Sequence, residues 1–278
     1  MRIYFGIGGQ YGDVMMGEPS LRRLIKMNPD AEFVIGTSHK YGDILPLFYD
    51  YHPQVIDYKI WDAYRVRPEE FSDADRGYVD KMKFDKMYSD VKLHTSPTWM
   101  FERHQVEEMG LMLGVEVDSL DICLKRPDVV PKNKTVSISL FPNNKNKKCI
   151  KAIGLGRIQE IVLFICSLGY EVIHLNGPEE PDIEGATKIN VPYNDAVKEM
   201  LSTDLLIAGD TGMAWVASAY NHPVVGLYAV GYWGKSSGCT TSKNWQAINN
   251  KAIYLESWAA KDIPLNDIYN AINKKLEV

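Results

Sequence analysis

Ser202-Thr203-Asp204-Leu205-Leu206-Ile207-Ala208-Gly209-Asp210-Thr211-Gly212-Met213-Ala214-Trp215 is an apolar run that stops at an Asp-Thr-Gly turn and restarts with helical spacing. A short strand that delivers Gly, Asp, Thr and Gly to the start of a helix gathers free backbone N–H groups, a hydroxyl and a dipole end of about +0.5 charge at one point. Such a point suits a phosphate. The helical pattern over 213–220 runs into Asn221-His222-Pro223 and then into Val224-Val225-Gly226-Leu227-Tyr228, a β-branched apolar run of strand length. The turn therefore lies inside a strand, helix, strand unit. Just upstream, Val197 to Leu201 ends a helical pattern begun near Asn194, whose side chain can cap it.

Working outward, the first half alternates in the same way. A strand is predicted over 3–7, a glycine-rich turn over 8–13, a helix over 14–27, a strand over 32–36, a short helix over 45–51 and a strand over 55–60. Residues 65–99 are charged, aromatic and irregular, and Glu69, Glu70, Asp73, Asp75 and Arg76 read as a solvated loop. A helix over 102–113 closes at Gly114. The stretch 126–134, Arg-Pro-Asp-Val-Val-Pro-Lys-Asn-Lys, has the prolines and charges of a link between domains. Beyond it come a strand over 136–140, a helix over 155–167 stopped by Gly169, a strand over 170–175, a short edge strand over 187–189 and a closing helix over 265–276. Two βαβ series predict an α/β fold of two Rossmann-like, doubly wound parallel sheets facing a cleft, with domains over 1–128 and 129–278. The last helix is expected to pack back on the first domain.

Composition bounds the function. With 278 residues, 45% hydrophobic and 24% charged, the chain can bury the cores of two domains. A net charge of -5, from 31 basic against 36 acidic residues, supplies no global field toward nucleic acid or anionic membrane. Cys123, Cys149, Cys166 and Cys239 form no C-x-x-C pair, which fits neither a zinc ribbon nor a small disulfide scaffold, and a reducing cytosol is the default. No run of about 18 apolar residues occurs, and the apolar amino-terminal segment is too short for a signal peptide. The expected location is the cytoplasm, including the inner face of the membrane.

The first turn, Gly6-Ile7-Gly8-Gly9-Gln10-Tyr11-Gly12-Asp13, nearly matches a dinucleotide fingerprint, but its third glycine comes too late. The second strand closes at Gly36-Thr37-Ser38, without the carboxylate that holds an NAD ribose, so a nicotinamide enzyme is disfavoured. What remains is Asp13 at the start of a helix. One reading makes it an N-cap; the other makes it a general base for an acceptor hydroxyl, with Gly9 and Gln10 beside it on the acceptor side.

Gly8-x-x-x-Gly12-Asp13-Val14 followed by Pro19-Ser20-Leu21-Arg22 and Asn28-Pro29-Asp30-Ala31-Glu32 resembles the amino-terminal signature of the heptosyltransferase-like glycosyltransferase family 9. Gly209-Asp210-Thr211-Gly212 with Ala217-Ser218-Ala219 and Pro223-Val224-Val225 is similar to that family's second signature. The resemblance covers most of the chain apart from about 61–98. It implies a GT-B fold, an acceptor-side first domain, a nucleotide-sugar-binding second domain, and sugar transfer with no metal and no cofactor beyond the nucleotide-diphosphate sugar itself. On the same basis Asp13 is the catalytic base, Asp210, Thr211 and Gly212 form the diphosphate turn, Glu179 meets the donor ribose and Val191 backs the nucleobase.

The chain departs from the family pattern at two places. Trp215 stands where the family carries a His, and Tyr228 to Gly234 lacks the usual Gly-Pro-Thr, which leaves the donor sugar open. The basic run from Asn143 to Lys151 falls where a family lysine meets the donor phosphates. Counting from Leu140 selects Lys147 or Lys148, counting back from Gly169 selects Lys151, and Asn143 opens the loop. His94, Trp99, Arg103 and His104 are residue types suited to an acceptor pocket. The expected partners are a nucleotide sugar and a saccharide or glycoconjugate. Two alternatives stand beside this reading: transfer to a modified DNA base, with Lys145 to Lys151 and Arg65 to Arg67 on phosphates, and a catalytically silent nucleotide-sugar-binding protein.

Overall fold

Ile3, Tyr4 and Phe5 are buried on both faces of the first strand, as a near-continuous apolar run in the middle of a parallel sheet requires. The computed structural model describes residues 1–8, 11–38, 42–49, 51–61, 72–89, 103–141, 150–175, 177, 179–231 and 242–278. The chain divides into two units, Met1–Arg126 and Pro127–Val278.

The first unit runs β1 (Arg2–Gly6), α1 (Tyr11–Met16), α2 (Glu18–Met27), β2 (Glu32–Ser38), a 3-10 turn (Gly42–Ile44), α3 (Leu45–Tyr49), β3 (Val55–Trp61), α4 (Asp73–Met82), β4 (Lys86–Ser89) and α5 (Gln105–Met112). Its four strands are parallel in the order β3-β2-β1-β4. Where one helix over 14–27 was expected, the helix starts at Tyr11 and breaks at Gly17. Pro19, in the first turn of α2, has no N–H to give to a carbonyl four residues back, so the ladder restarts there. Gly17 fits because a Cβ on it would meet Ile7 Cδ1 at 1.9 Å.

The expectation of an irregular, solvated stretch over 65–99 needs correction. Ser72 caps α4 by accepting the Asp75 N–H at 3.2 Å, and Asp75 is buried against Lys59, with 3.5 Å between carboxylate and ammonium. Glu69 and Glu70 lie outside the described residues. Lys86-Met87-Tyr88-Ser89 is too short and polar to announce a strand by pattern. It becomes β4 because β1 offers it an edge, with Ile3 opposite Lys86 and Phe5 opposite Tyr88.

The second unit runs β5 (Thr135–Ser139), α6 (Leu155–Ser167), β6 (Glu171–Leu175), β7 (Ala186–Ile189), α7 (Tyr193–Leu201), β8 (Leu205–Gly209), α8 (Gly212–Ala219), β9 (Val224–Ala229), β10 (Ala252–Ser257) and α9 (Leu265–Leu276). All six strands are parallel, in the order β10-β9-β8-β5-β6-β7. The core joins Val136, Ile138, Ile161, Ile165, Leu205, Ile207, Val225 and Leu227 to Ile268 and Ile272 of α9. That closing helix packs on α6, β9 and β10 of its own unit, with Tyr269 stacked on Phe164 at 4.1 Å between ring centroids. Pro192, not Asn194, takes the cap position of α7, since its fixed φ suits a helix entry. The half-exposed strand β10 was not expected from the sequence.

Strand order reverses between β1 and β4 in the first unit and between β5 and β8 in the second. At such points loops leave neighbouring strands in opposite directions and open a crevice at the carboxyl ends, where open α/β sheets bind ligands. No helix among the described residues is long and apolar enough to cross a membrane.

Candidate functional site

In the second unit, β8 is buried throughout and ends at Gly209, so that Asp210 and Thr211 emerge at the β5/β8 reversal point before α8 begins at Gly212. Thr211 is extended, with φ -130° and ψ 160°, and its side chain makes no capping hydrogen bond. Its N–H donates to the Gly209 carbonyl at 2.8 Å, and its own carbonyl accepts the Ala214 N–H at 3.1 Å. The first turn of α8 thus opens without a side-chain cap, in the arrangement that favours an anion. Thr211 Oγ1 lies 3.4 Å from Ser139 Oγ at the end of β5.

Lys151 Nζ stands 2.5 Å from Asp210 Oδ2, and the two side chains are only 17% and 16% exposed. The ammonium offsets the carboxylate, so the turn can present its N–H groups to an anion without a net negative charge beside them. Lys147 and Asn143 lie outside the described residues. Burial raises the Tyr228 hydroxyl well above its ordinary range, with the neighbouring Tyr254 and Asp210 adding to the effect, so this ring stays neutral behind the turn. Trp215 is buried in α8.

The loop after β6 carries Glu179, which is exposed, and Glu180, whose Oε2 lies 3.0 Å from Nε2 of the buried His174. Val191 is 38% exposed and directly precedes the Pro192 cap of α7. Sequence reading missed His174. Its only signal was one polar residue in the apolar strand Val172-Ile173-His174-Leu175.

In the first unit, Asp13 is the third residue of α1 and partly exposed, inside the first turn rather than at the N-cap. A carboxylate there is still favoured by the helix dipole. Ile7, just after β1, is fixed from two sides: its N–H donates to the Gly36 carbonyl at 2.9 Å, and Thr37 Oγ1 donates to its carbonyl at 2.7 Å. Tyr11 Oη reaches both carboxylate oxygens of Asp43, at 2.9 and 3.1 Å, and ties the start of α1 to the 3-10 turn.

Of the residues assigned to the acceptor side, Gly9, Gln10, His94 and Trp99 lie outside the described residues. Arg103 is exposed. His104 is buried as the N-cap of α5: its Nδ1 accepts the Val106 N–H at 3.3 Å, and Glu107 Oε2 accepts the His104 N–H at 2.9 Å. This reciprocal pair is a capping box with an imidazole in place of a hydroxyl. Among the described residues, no group of three or more His, Cys, Asp or Glu gathers at one point in a way that could hold a metal ion.

No protein-family model matches the chain, and neither does any curated protein. Solved structures do. A glycosyl transferase family 9 protein from Veillonella parvula is 14% identical, with a TM-score of 0.70 over 100% of this chain and 97% of that one. The ADP-heptose LPS heptosyltransferase II of E. coli is 13% identical, with a TM-score of 0.70 over 100% of this chain and 99% of that one. An E. coli heptosyltransferase solved with ADP is 10% identical, with a TM-score of 0.67 over 99% of this chain and 100% of that one. The chain therefore has the GT-B-type fold of two doubly wound parallel sheets, and it resembles these family 9 and heptosyltransferase structures in fold.

Proposed function

We propose that the protein is an inverting glycosyltransferase that moves a sugar from a nucleoside-diphosphate donor to a hydroxyl of a saccharide or glycoconjugate. The observation that carries this reading is the Asp210-Thr211-Gly212 turn, an uncapped helix start at a strand-order reversal with Lys151 on its carboxylate. The fold shared with two heptosyltransferases supports it.

In this reading the donor diphosphate lies on the α8 start, and the first-turn N–H groups with Lys151 stabilise the charge that grows on it as the bond to the sugar breaks. Asp13 takes the proton of the acceptor hydroxyl while the hydroxyl oxygen bonds to the anomeric carbon. The electron pair of the broken C–O bond leaves with the nucleoside diphosphate, and a single displacement inverts the anomeric centre. Glu179 and Val191 meet the ribose and the base. No metal or further cofactor is given a role.

The test is Asp13→Asn, assayed for product formation from nucleotide sugars with a panel of saccharide acceptors. Transfer should fall by about 10²–10⁴, the usual contribution of a general base, while calorimetric affinity for the nucleoside diphosphate stays unchanged. Undiminished turnover removes Asp13 from the role of base. A wild-type protein that binds nucleotide sugars and transfers to nothing would be a binding protein instead.

A further inference from the structure

Two adjacent carboxylates leave β6, and they are placed differently. Glu179 is exposed, whereas Glu180 folds back toward the sheet. The Glu180 N–H donates to the Gly177 carbonyl at 3.1 Å and closes a turn, and its Oε1 lies 3.7 Å from where a Cβ on Gly177 would stand. Its carbonyl accepts Lys188 Nζ at 2.7 Å, and Lys188 also pairs with Asp182 at 3.0 Å. Its Oε2 meets His174 Nε2 at 3.0 Å.

His174 is fully buried, one residue from the end of β6, opposite Ile138 of β5 and Lys188 of β7. Its ring lies 5.4 Å from that of Phe141, just beyond β5. Its Nδ1 is buried and has no hydrogen-bond partner among the described residues, so the imidazole carries a desolvation cost that an aliphatic side chain would avoid. The service it renders is the bond to Glu180.

We propose that His174 is a positioning residue for the donor ribose. By holding Glu180 against Gly177 it fixes the turn, and the turn presents Glu179 at the carboxyl end of β6. In doubly wound sheets a carboxylate at the end of the second strand accepts hydrogen bonds from the ribose hydroxyls of a nucleotide whose phosphates lie at the reversal point. Here β6 is the second strand of its unit and neighbours β5 at that point. The ligand class is a ribonucleoside diphosphate, recognised by its sugar hydroxyls. The inference rests on the nucleotide-donor reading above.

Calorimetry on the full chain tests it with ADP, UDP, GDP and CDP, the 2′,3′-dideoxy analogue of the best binder, and inorganic pyrophosphate. His174→Leu should bind the ribonucleotide about tenfold more weakly, the scale of one lost hydrogen bond to a charged group, with pyrophosphate affinity unchanged and the preference for ribose over dideoxyribose gone. His174→Gln, which keeps an N–H for Glu180, should retain that preference. Glu180→Ala, at a partly exposed site, should reproduce the loss without touching the core. Adding Glu180→Ala to Glu179→Ala should cost nothing further, because Glu180 acts through Glu179. An intact ribose preference in Glu180→Ala, or a parallel loss of pyrophosphate binding in His174→Leu, would overturn the assignment. Wild-type protein that binds none of the four diphosphates would overturn the donor reading itself.

Discussion

Lys151 and Asp210 show how much one pair can determine at the turn before α8. Each side chain is more than four-fifths buried, so removing one partner leaves the other charge in a poorly solvated place. Lys151→Met should therefore destabilise the protein by about 1–3 kcal/mol, the cost of a buried group left without its hydrogen bond. Adding Asp210→Asn should restore part of that stability, with a coupling of about 0.5–3 kcal/mol in a double-mutant cycle. Affinity for pyrophosphate should fall with Lys151→Met and stay low in the double variant, since the proposed function makes the lost cation a partner of the diphosphate. Urea denaturation and calorimetry read the two effects separately; independent stabilities or intact pyrophosphate binding would contradict the role given to this pair. His104 teaches the opposite lesson at the same scale. A histidine that sequence alone offers as an acceptor contact has its Nδ1 engaged at the start of α5.

Among elements, the break between α1 and α2 places Asp13. Gly17 passes beneath Ile7, which is itself bonded through its backbone to Gly36 and Thr37 of β2, so β2 fixes Ile7 and the break after α1 is seated against it. Gly17→Ala should cost about 1–3 kcal/mol through overpacking. Combining it with Ile7→Ala should cost less than the sum of the two changes, because the clash disappears with the side chain that caused it. Thermal unfolding of the four proteins in the cycle measures this, and strict additivity would show that Ile7 does not set the break. The same scale explains why α4 and β4 leave no clear pattern in the sequence. Asp75 looks solvated in sequence and is buried against Lys59, and β4 owes its strand to the edge of β1.

Over the whole molecule, each unit has tyrosines that resist ionisation. In the first, burial raises Tyr4 well above the ordinary value of 10.0, and burial with the nearby Asp57 pushes Tyr78 up to about 12. In the second, burial raises Tyr228 and Tyr254 in the same direction. A phenol that ionises less readily when folded leaves the native state holding more protons than the unfolded chain, so stability falls as pH rises. Their contribution is complete below about pH 10, where the unfolded tyrosines still hold their protons, and is lost as the pH climbs toward the folded values. Both units should weaken together above that point. Denaturation curves followed alongside tyrosinate absorbance test this, and stability that stays flat through pH 11 would refute it.

The sequence by itself determined the parallel α/β alternation, the Asp210-Thr211-Gly212 turn and a helix after the first glycine-rich turn, but neither that helix's start at Tyr11 nor its break at Gly17. These are local patterns of apolar runs, glycines and prolines, and local sterics act within a few residues. Only the tertiary structure decided that Lys151 pairs with Asp210, that β4 and β10 complete the sheets, and that His174 holds Glu180 while Glu179 stays exposed. Strand pairing and burial join residues far apart in the chain. A charge or an imidazole shows what it does only when the side chain opposite it is known.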